Sequence, residues 1–343
     1  MLNHARELTR HGYGVTLIGL CERPFTPPPD AKVRCLRRWS GLKRFGLAGA
    51  ALRMSFTLGQ LLALLVRTRP KTILVQNPPA FPTLAAARMA AVLIGSRVIV
   101  DWHNYGFTML ALRTGGRLIA WAERYEGWMS RRAAAHFCVS RAMQEDLKRR
   151  FGIEAETVYD RPLRIQPRQS KPVDKNRVVV CPAGWTADED IAMLLDALDR
   201  IAPAPDLEIH LTGDGPSREL LMPRIEDLRR RGCQIHTGFL EEAEYRELLA
   251  RADIGISVHR SSSGLDLAMK VVDLQEAGVP VLAFDYGGSL PEQVSDGETG
   301  FLFRDADELA RLIAGNRAVR SISTSTIVWE KEWTRTAATY FDH

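Results

Sequence analysis

Ile254-Gly-Ile-Ser-Val-His259, continued by Arg260-Ser-Ser-Ser-Gly264 and Leu265-Asp-Leu-Ala-Met-Lys-Val-Val-Asp273 and closed by Gly278-Val-Pro280, decides the fold. The opening run is short and apolar, as a buried strand is, and Gly278-Val-Pro280 marks the end of a helix. A buried strand leading through a hydroxyl-rich turn into a helix is the repeating unit of a parallel α/β sheet. Ser261, Ser262, Ser263 and Gly264 are expected where the helix begins, with Lys270 and Asp273 one and two turns further in. Helix starts carry unpaired N–H groups and a partial positive charge, so the segment suits an anion. Lys270 can reach the same anion and Asp273 suits a ribose diol, which together point to a diphosphonucleotide sugar. The plainer alternative is a serine-capped helix with a surface lysine.

The same alternation runs outward in both directions. Towards the amino terminus the spacing predicts helices over Met1–Gly12, Phe45–Val66, Ala85–Leu93, Leu118–Arg131 and Arg141–Arg150. Strands are expected at Val15–Leu20, Thr72–Gln76, Arg97–Asp101 and Ala135–Val139. A proline- and charge-rich stretch, Asp160-Arg-Pro-Leu-Arg-Ile-Gln-Pro-Arg-Gln-Ser-Lys-Pro-Val-Asp174, then reads as the domain boundary. Beyond it come strands Val178–Pro182, Leu207–Leu211, Cys233–Thr237, Ile254–Val258 and Val279–Ala283, with helices Ile191–Ile201, Ser217–Arg231, Glu242–Ala252, Leu290–Val294 and Asp307–Ala314. A last helix starts near Trp329. The expectation is an amino-terminal Rossmann-like domain over 1–163, a linker over 164–176, a second Rossmann-like domain over 177–325, and a helix in 326–343 that returns to the first domain.

A chain of 343 residues suits two domains, and 45% hydrophobic with 25% charged content is that of a soluble globular protein. Cys21, Cys35, Cys138, Cys181 and Cys233 show neither a CxxC pair nor a Cys/His ligand spacing, so they read as reduced thiols and no metal is expected. Met1-Leu-Asn-His-Ala-Arg-Glu7 reads as amphipathic helix, not as a signal peptide. Phe45–Val66 is long and apolar, but Arg53 and Gln60 interrupt it and Arg44 and Arg67 flank it, which favours a domain helix or a membrane-touching one over a spanning one. The net charge of +5 conceals an asymmetry: residues 1–170 hold 27 Lys and Arg against 11 Asp and Glu, and the remainder 19 against 30. The basic half suits anionic lipid or a phosphate-bearing acceptor. Nucleic acid is not expected, because no helix-turn-helix, RNP or zinc-finger pattern accompanies the charge.

Ligands of open parallel sheets bind beyond the carboxyl ends of the strands. In the second half those ends carry Ala183-Gly-Trp-Thr186, with Thr186 a candidate helix cap, Thr212-Gly-Asp-Gly215, with Gly213 and Gly215 open to a close ligand, and Gly238-Phe-Leu240, with Phe239 and Leu240 beside a base edge. In the first half Gln76-Asn-Pro-Pro79 and Asp101-Trp-His-Asn-Tyr-Gly106 leave strands. Asp101 or His103 is the candidate general base for a sugar hydroxyl, against the alternative that Asp101 caps the next segment and His103 is structural.

Val75-Gln-Asn-Pro-Pro79, Val100-Asp-Trp-His-Asn-Tyr-Gly106, Thr157-Val-Tyr-Asp-Arg-Pro162, Trp185-Thr-Ala-Asp-Glu-Asp190 and Ser261–Asp266 with Met269–Asp273 occur in this order. The set resembles the chitobiosyldiphosphodolichol β-mannosyltransferases, glycosyltransferase family 33, almost from end to end. The resemblance implies a GT-B fold, two Rossmann-like doubly wound domains facing a cleft, with GDP-mannose as donor, inversion at the anomeric carbon, no cofactor and no metal. It implies a lipid-pyrophosphate acceptor bearing two GlcNAc units at the cytosolic membrane face, reached peripherally without a transmembrane anchor in this chain. Donor contacts would fall to Thr186, Gly213, Gly215, Phe239, Leu240, Ser261, Ser262, Ser263, Gly264, Lys270 and Asp273, and acceptor contacts to Asn77, Asn104 and Tyr105. Family members begin with a strand and a Gly-Asp-x-Gly-Arg-Ser-Pro-type loop ahead of the helix matching Met1–Gly12, so the first domain is expected to lack its first strand. Leu265 and Asp273 stand where the retaining family 4 carries a Glu-x7-Glu pair, which argues for inversion. Two other readings remain: a GT-B transferase using another sugar donor in bacterial glycan synthesis, and a truncated paralogue that binds nucleotide sugar without transferring it.

Overall fold

The computed structural model describes residues 1–21, 25–39, 46–112, 114–165, 176–315 and 327–341. The linker expected over 164–176 therefore falls largely outside the described residues, as do Arg44, Phe45 and residue 326. The chain divides into two compact units, Met1–Tyr159 with Glu330–His343, and Asp160–Trp329.

Unit 1 runs α1 (Leu2–Arg10), β1 (Thr16–Gly19), β2 (Lys32–Cys35), α2 (Gly46–Thr68), β3 (Thr72–Asn77), α3 (Thr83–Ile94), β4 (Arg97–Trp102), α4 (Gly106–Ala111), α5 (Arg117–Ser130), β5 (Ala135–Cys138), α6 (Arg141–Phe151) and β6 (Glu156–Thr157). Its strands form two parallel sheets, β1-β2 and β3-β4-β5-β6. Parallel strands joined through helices are the doubly wound pattern. Local signals end the helices cleanly: Ser140 Oγ accepts from Met143 N at 3.1 Å to open α6, and Gly152, at φ 62°, closes it.

Unit 2 runs β7 (Arg177–Pro182), α7 (Ile191–Ile201), β8 (Leu207–Thr212), α8 (Arg218–Arg230), β9 (Gln234–Gly238), α9 (Glu242–Ala250), β10 (Ile254–Ser257), α10 (Met269–Glu276), β11 (Val281–Phe284), α11 (Leu290–Gln293), β12 (Gly300–Phe303) and α12 (Ala306–Ala314). The last helix, α13 (Trp329–Thr336), falls almost wholly in unit 1. The unit 2 sheet is all parallel in the order β12-β11-β10-β7-β8-β9, with Val179, Val180 and Cys181 fully buried at its centre. Apolar clusters cover both faces, one under α7, α8 and α12 and one under α9 and α10. The order reverses between β7 and β10, and that switch point is where doubly wound sheets open their ligand crevice.

Three expectations are corrected. Cys21 and Cys35 are joined in a disulfide, not reduced; the register that sets Gly19 beside Cys35 brings Cys21 within a Cα separation of 5.5 Å. Ser261–Gly264 does not open the helix, which starts at Met269 with Ala268 as its cap residue. β2, α4, β6 and β12 were not anticipated: β2 and β6 are short, and α4 hangs on a carboxylate distant in sequence.

Candidate functional site

Four loops leave the carboxyl ends of β7, β8, β10 and β11 and lock together within unit 2. Gly213 sits at φ 97°, and a Cβ there would lie 1.8 Å from the Ala183 carbonyl oxygen; one on Gly215 would lie 2.0 Å from that of Gly184. These glycines therefore admit the neighbouring backbone. The β7 and β10 loops are bridged at Glu189 and His259, with Asp190 N donating to Val258 O at 2.9 Å and Arg260 N to Asp188 O at 2.6 Å. Gly288, at φ 54°, lets the β11 loop close on Gly264, whose carbonyl accepts from Ser289 N at 3.0 Å.

The polar groups of this rim are mostly paired to one another. Ser261 Oγ bonds Asp266 and accepts from Gly264 N at 2.7 Å, and Ser263 Oγ accepts from Leu265 N at 3.1 Å. The serine hydroxyls thus fold their own loop, while Ser262 is half-buried in it. Thr186 is exposed and does not cap α7; Asp190 does, accepting from Met193 N at 3.0 Å. Lys270 is the second residue of α10, among the backbone N–H groups that a helix leaves without an intrahelical partner. Its Nζ lies 3.8 Å from Asp273 and 5.8 Å from the Tyr245 ring. Asp273 accepts from Tyr245 Oη at 3.2 Å, and burial raises its carboxyl above the usual range. Phe239 is exposed beside Gly238, whose carbonyl accepts from Gly213 N at 2.8 Å, and Leu240 is half-buried.

Two members of this cluster carry no obvious sequence signal. Glu189 accepts from Gly184 N, and its carboxyl is raised by burial, which the charges of Lys270 and His259 only partly offset. His259 bonds Asp266 at 3.1 Å and faces Asp188 at 3.7 Å. Burial alone would lower its pKa, but the Asp266 hydrogen bond and the surrounding carboxylates raise it above 6.5. An imidazole whose neighbours favour its protonated form, a lysine and a helix start thus gather at the switch point, a setting for a diphosphate.

In unit 1 the predicted residues divide. Asp101 is the penultimate residue of β4, with its carboxylate 2.8 Å from His103 Nε2 and 3.3 Å from His4 Nε2. Burial would raise its pKa, but the two imidazoles hold it well below the ordinary carboxylate range. The Asp101 side chain is 3% exposed and that of His103 22%, so His103 is the member of the pair that a substrate can reach. Asn77 and Tyr105 are buried instead. Asn77 Nδ2 bonds Glu126, and Tyr105 Oη donates to Asp146 at 2.8 Å. Asn104 Oδ1 accepts from Tyr105 N at 2.7 Å and Thr108 Oγ1 at 3.3 Å. The organising residue is Glu126 of α5, which sequence reasoning missed: buried, it accepts from Gly106 N at 3.0 Å and Phe107 N at 3.2 Å and so starts α4. Asn77, Asn104 and Tyr105 thus build the loop that carries His103.

Among the described residues one group, Glu208, His210 and His236, could hold a metal ion. The Arg251 guanidinium already lies 3.2 Å from Glu208 and 3.3 Å from His210 Nε2, supplying that carboxylate with a cation.

Residues 1–159 match the Glycosyl transferase 4-like domain and residues 176–315 the Glycosyl transferases group 1. A chitobiosyldiphosphodolichol beta-mannosyltransferase of Arthroderma benhamiae is 36% identical over 326 residues, covering 81% of this chain and 73% of its own. That of Homo sapiens is 31% identical, covering 90% and 80%. An Arabidopsis thaliana relative named UDP-glycosyltransferase TURAN is 32% identical, covering 70% and 67%. In fold, the chain is similar to sucrose-phosphate synthase of Thermosynechococcus elongatus, with a TM-score of 0.68 at 14% identity, covering 96% of this chain and 86% of that one. Anabaena HepE in complex with UDP and glucose gives 0.65 at 17% identity, covering 93% and 87%. With GT-B architecture in both units and this identity along most of its length, the chain belongs to the chitobiosyldiphosphodolichol beta-mannosyltransferase family.

Proposed function

We propose that the protein transfers mannose from GDP-mannose, with inversion, to a lipid-pyrophosphate-linked chitobiose. One observation carries the transfer: relatives named for it share 30–36% identity over 81–100% of this chain, so both units are included. Unit 2 takes the donor at its switch point. Lys270, the first N–H groups of α10 and His259 face the diphosphate, and Gly238–Leu240 borders the guanine. Asp273 takes the ribose by exchanging its Tyr245 partner. As the anomeric C–O bond breaks, negative charge grows on the leaving diphosphate, and preorganised N–H dipoles with Lys270 and His259 stabilise it. The acceptor hydroxyl oxygen forms the new bond from the opposite face while its proton passes to His103. No metal enters this scheme.

The acceptor side is unit 1, placed at an anionic membrane surface. Helices α2, α3 and α5 pack in sequence and leave Phe56, Val92, Leu93, Trp121 and Trp128 exposed, with the Arg88 guanidinium 4.5 Å above the Trp128 ring. Apolar and aromatic side chains beside arginines suit the boundary between headgroups and acyl chains. The α2 segment Gly49–Thr68 is also long and apolar enough to cross a membrane.

A second donor reading is favoured by the relative named UDP-glycosyltransferase and by the UDP complexes of HepE. Calorimetric titration with GDP-mannose, UDP-glucose and UDP-GlcNAc decides between them. Preferential binding of GDP-mannose, weakened in Lys270→Ala, is expected; preferential binding of a UDP sugar overturns the donor assignment.

A further inference from the structure

The Asp101–His103 pair is held from behind by residues near the two ends of the chain. Trp333 of α13 and His4 of α1 are both buried in unit 1, and Trp333 Nε1 lies 3.1 Å from His4 Nδ1. An indole N–H only donates, so His4 Nδ1 accepts and carries no proton. The His4 proton then sits on Nε2, which faces Asp101 Oδ2 at 3.3 Å. An ionised carboxylate only accepts, so His103 Nε2, 2.8 Å from the same oxygen, also carries its proton. Each tautomer in the series is fixed by its neighbour.

We propose that Trp333, His4 and Asp101 are positioning residues that set the tautomer and orientation of His103, the base that receives the acceptor's proton. The relay rests on the assignment of His103 as the base. Packing reinforces it: His4 stacks on Phe137 with ring centroids 6.0 Å apart, so neither imidazole orientation nor the α1–α13 contact is left to solvent. The titratable groups facing Asp101 are His4 from α1, His103 from its own loop, and the Cys138 thiol of β5, which burial, with a lesser contribution from Asp101, pushes up to about 12.

Histidine-selective 15N spectra of the full chain at neutral pH test the tautomers directly. His4 as the Nε2–H form, shifting towards a mixture in Trp333→Phe, is expected; a proton on Nδ1, or on both nitrogens, overturns the relay. The pH dependence of kcat/KM tests its consequence. His4→Phe removes one donor from Asp101, so the carboxylate holds a proton on His103 more strongly and the acid limb moves to higher pH. The same change lowers kcat about tenfold, with the KM for GDP-mannose unchanged. His4→Gln restores a donor at the Nε2 position and returns the acid limb towards that of the unsubstituted enzyme. A folded His4→Phe enzyme with an unmoved acid limb overturns the positioning role, because a purely structural lesion lowers the active fraction without shifting it. An unsubstituted enzyme that transfers no mannose contradicts the proposed function, and the tautomer spectra still decide the relay.

Discussion

Replacing Gly213 by alanine tests whether the β7 and β8 loops are interlocked as a platform for the donor. The new Cβ would stand 1.8 Å from the Ala183 carbonyl oxygen and 3.0 Å from its carbon, at φ 97°. The left-handed backbone costs an L-residue about 1–2 kcal/mol. Parting the two loops to relieve the overlap adds about 1–3 kcal/mol, the usual cost of overpacking. A total of about 3 kcal/mol lowers the melting temperature of a domain of this size by about 6–12 °C. Gly264→Ala is the internal control for the backbone term, since it has φ 75° and nothing within 4 Å of its Cβ; it costs only the first contribution. Gly238→Ala meets nothing within 4 Å and has no positive φ, so it is nearly neutral. Thermal unfolding by circular dichroism with GDP-mannose titration ranks the three, and affinity falls with stability in Gly213→Ala. A Gly213→Ala protein that melts with Gly238→Ala and binds donor normally refutes the interlock.

Lys270→Ala removes the flexible cation at the start of α10 and lowers kcat for mannosyl transfer by about 100-fold, measured under saturating donor. His259 has its pKa raised above 6.5 on folding, so its contribution to stability is fully present below the unfolded value and is lost as pH rises through the folded one. Denaturant unfolding of His259→Gln therefore shows its largest deficit below pH 6.5, a deficit that shrinks towards alkaline pH. Trp121→Ala combined with Trp128→Ala weakens sedimentation with anionic vesicles while leaving the binding of GDP-mannose intact. Alkylation of the denatured, unreduced protein labels Cys138, Cys181 and Cys233 and leaves Cys21 and Cys35 unmodified until reductant is added.

Buried parallel strands were legible because each is a short apolar run between helical segments, as at Val178–Cys181 and Val98–Val100. The loops at the carboxyl ends of β7 and β10 were legible at Ala183 and His259, whereas the switch point depends on a strand order that the sequence does not show. The start of α10 was not legible: serines ahead of an apolar run look like a cap, yet Ser261 and Ser263 spend their hydroxyls on Gly264 N and Leu265 N within the loop. The partners that bury Asn77 and Tyr105 were not legible, because they are distant in sequence. Glu126 lies 49 residues from Asn77, and Asp146 lies 41 from Tyr105. The disulfide was hidden for the same reason, since strand register and not cysteine spacing joins Cys21 to Cys35. His4 carried no signal at all until α13 placed an indole N–H against it.

Inverting transfer from GDP-mannose is read from the anomeric configuration of the product formed with a chitobiosyl diphosphate lipid, by NMR coupling constants and by β-mannosidase digestion. A single β-linked mannose released by β-mannosidase is expected, formed with His103 intact and lost in His103→Ala. An α-linked product, or transfer from a UDP sugar with none from GDP-mannose, would contradict it.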